Sequence, residues 1–68
     1  MFLEPKVNEL KKQRQLKNMT QKQLSQKAGL PVNAIYRIES GESKKTHPLR
    51  AREIAKAIGC DINIIFKE

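Results

Sequence analysis

The sequence predicts an all-α fold, a compact packing of five short helices, and three observations carry that expectation. Apolar residues recur at three- and four-residue intervals, alternating β-branched runs are missing, and the chain is rich in Lys, Gln, Leu, Ile and Ala. Its three glycines, Gly29, Gly41 and Gly59, each stand where an apolar stripe ends, as helix stop signals do. At 68 residues and 38% hydrophobic content, residues 1–68 suffice for a single domain with one core.

A first helix is expected from about Pro5 to Lys17, since proline suits a first helical turn and Val7, Leu10 and Arg14 then form one stripe. Leu16 falls on the opposite side. Asn18 tolerates a left-handed backbone, and Thr20-Gln21-Lys22-Gln23 has the form of a capping box, which starts a second helix carrying Leu24, Ser25 and Ala28. Gly29-Leu30-Pro31 is the turn that follows. A third helix, about Val32 to Ser40, holds Ile35 and Ile38 inward and stops at Gly41. Glu42 to His47 has no apolar periodicity and reads as a polar loop. Pro48 opens a fourth helix through Ala51, Ile54, Ala55 and Ile58, and after Gly59 a capping Asp61 starts a short fifth one with Ile62, Ile65 and Phe66.

Fourteen Lys and Arg against seven Asp and Glu give a net charge of +7, which favours polyanionic partners. The single Cys60 forms no internal disulfide and fits a reducing, cytoplasmic location. There is no apolar run of signal-peptide or membrane-spanning length. His47 and Cys60 are each alone of their kind, so neither a metal set nor a catalytic triad can be assembled, and an enzyme with a cofactor is not expected.

From about residue 21 to residue 40 the pattern is a short helix, a turn containing glycine and a second helix, the helix-turn-helix arrangement. Gln21-Lys22-Gln23-Leu24-Ser25-Gln26-Lys27-Ala28-Gly29, followed by Ile35-Tyr36-Arg37-Ile38-Glu39-Ser40-Gly41, resembles the Cro/CI (Xre-type) helix-turn-helix family. Arg14, the Pro48–Gly59 helix and the Asp61-to-Phe66 segment match that family's five-helix pattern in order and spacing. The resemblance implies a lambda-repressor-like DNA-binding domain that regulates transcription, with a repressor acting as a dimer on a palindromic operator. The family usually places Ser or Thr where Pro31 stands, so that capping and phosphate contact has no hydroxyl here.

At 100° per residue, the third helix turns Ile35, Ile38 and Glu39 inward and Asn33, Tyr36, Arg37 and Ser40 outward, with Val32 at the edge. In a major groove Arg37 suits guanine O6 and N7, Asn33 suits adenine N6 and N7, and Val32 suits a thymine methyl. Tyr36 is a further candidate base contact. Gln21, at a helix start, is the leading phosphate residue, joined by Ser40, Ser43, Lys44 and Lys45. Each of these also fits a plain solvated surface.

Arg14 and Glu39 both fall on apolar stripes, where an unpaired charge is costly, and are expected to pair with each other as a structural ion pair. Met1-Phe2-Leu3 and Ile62, Ile64, Ile65 and Phe66 are candidates either for a homodimer surface or for packing of the chain ends. The alternative function is an antitoxin-like or other protein-interaction module that binds DNA together with a protein partner. RNA binding is disfavoured because Phe2, Tyr36 and Phe66 are the only aromatics, and membrane binding because no helix sets a basic face against bulky aromatics.

Overall fold

The computed structural model describes residues 1–68. The elements in order are β1 (Glu4–Pro5), α1 (Val7–Leu16), α2 (Gln21–Lys27), α3 (Ala34–Glu39), α4 (Pro48–Ile58), α5 (Ile62–Ile65) and β2 (Phe66–Lys67). The architecture is mostly helical, with five helices and one minor strand pair.

The chain's beginning departs from the sequence-based expectation. Pro5 does not open α1; it lies in β1, antiparallel to β2, with Glu4 opposite Lys67 and Pro5 opposite Phe66. Lys6 N–H donates to Ile65 C=O at 2.8 Å, and α1 begins after it with no side-chain cap. Leu3 and Thr46 exchange both backbone hydrogen bonds, each at 2.8 Å. Extended pairing satisfies these backbone groups and folds the chain start over Phe66, a burial that one further helical turn would forgo.

Helix boundaries elsewhere follow local chemistry. Thr20 and Gln23 form the reciprocal capping box at α2: Gln23 N–H donates to Thr20 Oγ1 at 3.0 Å and Thr20 N–H to Gln23 Oε1 at 2.9 Å. Asn18 sits at φ 56°, as its short polar side chain allows. Gly59 ends α4 at φ 88°, where any Cβ would be strained. Asp61 Oδ1 accepts from Asn63 N–H and caps α5. The third helix is shorter than expected, because residues 31–33 form a tight turn closed by Ala34 N–H to Pro31 C=O at 3.0 Å.

One hydrophobic cluster unites these elements. Leu10 of α1, Leu24 of α2 and Ala28 just after it, Ile35 and Ile38 of α3, Ala51, Ile54, Ala55, Ala57 and Ile58 of α4, then Ile65 and Phe66, are all buried together. Leu3, Met19, Leu30, Cys60 and Ile62 pack around its margin. This cluster fixes α3 against α2 and α1, so the outer face of α3 is set by the core behind it.

Candidate nucleic-acid interface

The outer face of α3 is built from what its inner face requires. Ala34, Ile35 and Ile38 are buried, which turns Asn33, Tyr36 and Arg37 outward with Val32 just ahead of the helix. Val32 is 53% exposed and Tyr36 is 55% exposed, so neither is absorbed into the core. Ser40 is also exposed, at the end of the helix.

Two polar devices hold α3 in place. Ser25, fully buried where α2 meets α3, donates from Oγ to Gln21 C=O at 2.8 Å and accepts from Ile35 N–H at 3.1 Å. Ile35 N–H belongs to the first turn of α3, where no intrahelical partner exists, and the Asn33 side chain makes no cap. A hydroxyl from α2 thus satisfies a first-turn donor of α3. Serine at this close approach is small enough to fit and polar enough to satisfy a buried donor.

The second device joins Arg14 and Glu39. Arg14 Nε donates to Glu39 Oε2 at 2.8 Å and Nη2 to Oε1 at 3.0 Å, a two-pronged pair with side chains only 9% and 4% exposed. Arg14 Nη1 also donates to Met19 C=O at 2.8 Å. The Gln21 amide donates from Nε2 to Glu39 Oε1 at 2.9 Å, a bond that links sequence positions 18 apart and that the local pattern does not reveal. Arg14 and Glu39 together thus tie the end of α3 to α1, the turn after it and the first residue of α2. Gln21, half-buried, keeps its second amide hydrogen free.

Around α3 the surface is cationic. A cleft of about 300 Å³ beside it is lined by Asn33, Arg37, Ser43, Lys45, His47 and Arg50, over a floor that includes Ala34 and Ile38. Lys44 does not join them; it turns into a separate hollow with Glu4 and Lys67, and Ser43 borders both. Arg50 and His47 complete the cleft. His47 Nδ1 accepts from Leu49 N–H at 3.1 Å, capping α4 and leaving Nε2 to face outward as a donor. The Phe2 ring stands edge-on to His47, centroids 6.2 Å apart.

Glu42 went unremarked in the sequence. Its Oε2 lies 3.4 Å from Arg37 Nε, and both side chains are more than half exposed. No spacing rule singles it out, because the contact depends on the turn after α3.

The chain matches the family model described as Helix-turn-helix over residues 10–65, from within α1 to the end of α5. It belongs to the Cro/CI (Xre-type) helix-turn-helix family. It is accordingly a DNA-binding domain, of a family that is typically not enzymatic. No curated protein is significantly similar to it in sequence.

Other chemistry in this Cro/CI-type domain is sparse. No three His, Cys, Asp or Glu side chains cluster to hold a metal ion, and no helix is long and apolar enough to cross a membrane. Burial pushes the Cys60 thiol above its usual range, Asp61 adds to the shift and Lys17 opposes it, so the sulfur stays protonated at neutral pH.

Proposed function

We propose that this domain is a transcriptional regulator, a repressor that occupies a palindromic operator as a homodimer with α3 in the major groove. The observation that carries the reading is the α3 face itself. Val32, Asn33, Tyr36 and Arg37 stand exposed together, backed by three buried residues and by the Ser25 and Arg14–Glu39 attachments. In this role Arg37 pairs with guanine, Asn33 with adenine, and Val32 meets a thymine methyl, each good bidentate pair being worth about 1–3 kcal/mol of discrimination. Tyr36 lies on the same face and adds a base contact.

Gln21, Ser43 and Lys45 then serve the phosphates flanking the groove, Gln21 through its remaining amide hydrogen, whereas the Ser40 hydroxyl hydrogen already goes to Arg37 C=O and Lys44 turns into the hollow with Glu4 and Lys67. Arg50 and His47 share the cleft with Lys45 and join this set. One short recognition helix reads too few base pairs for useful specificity, which argues for two chains on half-sites about 34 Å apart or a multiple of it. The two chain ends meet in β1 and β2, where Ile65 and Phe66 are spent on the core while Met1, Phe2 and Ile64 remain exposed for a partner copy. Such a regulator acts in the cytoplasm, on the nucleoid.

The test is binding to duplex fragments from the DNA flanking the protein's own gene, against random competitor at several salt concentrations, with stoichiometry recorded. A discrete complex of two chains that survives competitor and is lost in Arg37→Ala is the expected result. Binding that ignores sequence and is equally strong in Arg37→Ala would refute the reading.

A further inference from the structure

We propose that Glu42 is a positioning residue for base recognition: it holds Arg37 by its Nε edge so that only the two-nitrogen end of the guanidinium is presented to DNA. The inference rests on the reading of α3 as the base-contacting face. Arginine can offer a base two different pairs of N–H groups, one along its side through Nε and one at its end through the Nη atoms. The Glu42 carboxylate stands 3.4 Å from Nε, an ion-pair contact without a hydrogen bond, so a base approaching along the side of the guanidinium meets an anion while the end pair stays open. That pair matches guanine O6 and N7.

The turn after α3 is organised to put Glu42 there. Ser43 N–H donates to Arg37 C=O at 2.9 Å, and Ser40 Oγ donates to the same oxygen at 3.1 Å. Glu42 N–H in turn donates to Ser40 Oγ at 3.4 Å. The chain therefore folds back on the carbonyl of the very residue whose side chain Glu42 meets. Glu42 is also the one carboxylate in ion-pair range of a candidate base-contacting side chain.

A carboxylate on a surface that meets phosphates weakens binding to DNA of any sequence, because it repels the backbone and occupies a cation that would otherwise neutralise it. A guanine tolerates it, since the end pair of Arg37 is still free. Glu42 thus lowers background affinity while sharpening one base preference.

The experiment is selection from a random-sequence duplex pool by the wild type, Arg37→Ala, Glu42→Ala and Glu42→Asp, with affinity for a short random-sequence duplex measured across a salt series. Wild-type pools are expected to carry a guanine whose enrichment Arg37→Ala abolishes. In Glu42→Ala that guanine preference falls about fivefold, the upper end for an exposed ion pair, and affinity for the random duplex rises by a similar factor. The slope of log affinity against log salt steepens by about 0.9 per chain as Arg37 turns to a phosphate. Glu42→Asp, with the charge kept on a shorter arm, retains the wild-type slope but only part of the guanine preference. An unchanged guanine preference in Glu42→Ala overturns the proposal, even where the slope steepens, since Glu42 would then only repel phosphate. Pools that enrich no sequence, or that Arg37→Ala leaves unaltered, instead overturn the α3 reading itself and the proposal with it.

Discussion

Arg14 and Glu39 concentrate more structural consequence than any other pair of side chains. Their charges lie inside the packing of α1 against α3, where removing one partner strands the other away from water. Arg14→Met leaves Glu39 with only the Gln21 amide, so the cost is expected at the lower end of the range for breaking a buried pair, about 3 kcal/mol. In a domain this small each kcal/mol corresponds to roughly 4–8 °C, so thermal melting should shift down by at least about 12 °C. Adding Glu39→Leu to Arg14→Met removes the stranded carboxylate and should recover most of that loss, because a buried pair and a well-packed apolar replacement are often comparable. A melting temperature that Arg14→Met leaves in place would show that the pair is solvated and dispensable. Ser25 makes the same point with a neutral group: one hydroxyl meets two backbone obligations, so its identity follows from its position between α2 and α3.

At the scale of elements, α2 is short enough that its start decides whether it forms. Seven residues cannot sustain a helix by propensity alone, and the Thr20–Gln23 box satisfies two donors that would otherwise face water unpaired. Thr20→Ala should cost about 1 kcal/mol. Amide exchange gives the sharper readout: the Gln23 N–H should lose protection first, and Ile35 should follow because its N–H depends on Ser25 from the same helix. Protection of Ile35 that survives fraying of α2 would mean α3 is held by its apolar contacts alone. The box was legible in the sequence, as were the glycine stops and the outward turn of Asn33, Tyr36 and Arg37, because each depends on residues within one or two helical turns. The pairing of Arg14 with Glu39 was legible for another reason, that two charges on apolar stripes need each other. What stayed hidden depends on the path of the chain. Two-residue strands carry no alternation to read, so β1 with β2 and Leu3 with Thr46 left no trace, and Pro5 read as a helix start. The Gln21–Glu39 bond, the divergence of Lys44 from Lys45 and the approach of Glu42 to Arg37 likewise arise only after the turns are set.

For the whole molecule the question is whether its charge of +7 acts as a general field or as placed contacts. Cations occur on every side: Lys11, Lys12, Lys22, Lys27, Arg52 and Lys56 are all exposed, as are Arg37, Lys45 and Arg50 around the cleft. Both descriptions predict salt-sensitive binding, but they differ in which lysine matters. Only a cation that displaces a condensed counterion from a phosphate alters the salt slope, by about 0.9 for each such contact. Lys45 shares the cleft with Arg37, whereas Lys56 lies six residues beyond Arg50, about 9 Å further along α4. Lys45→Ala should therefore flatten the slope by about 0.9 per chain, or about 1.8 for two chains on paired half-sites. Lys56→Ala, which removes the same net charge, should leave the slope near its wild-type value while lowering the association rate slightly through the long-range field. The measurement is a salt titration of equilibrium affinity for each variant on one duplex. Equal slopes for the two variants would mean that the protein meets DNA without a fixed orientation, and the assignment of the α3 face would fall with that result. Unequal slopes in the expected order would place the duplex on the side of the molecule that carries Lys45 and Arg37 rather than on the side of Lys56.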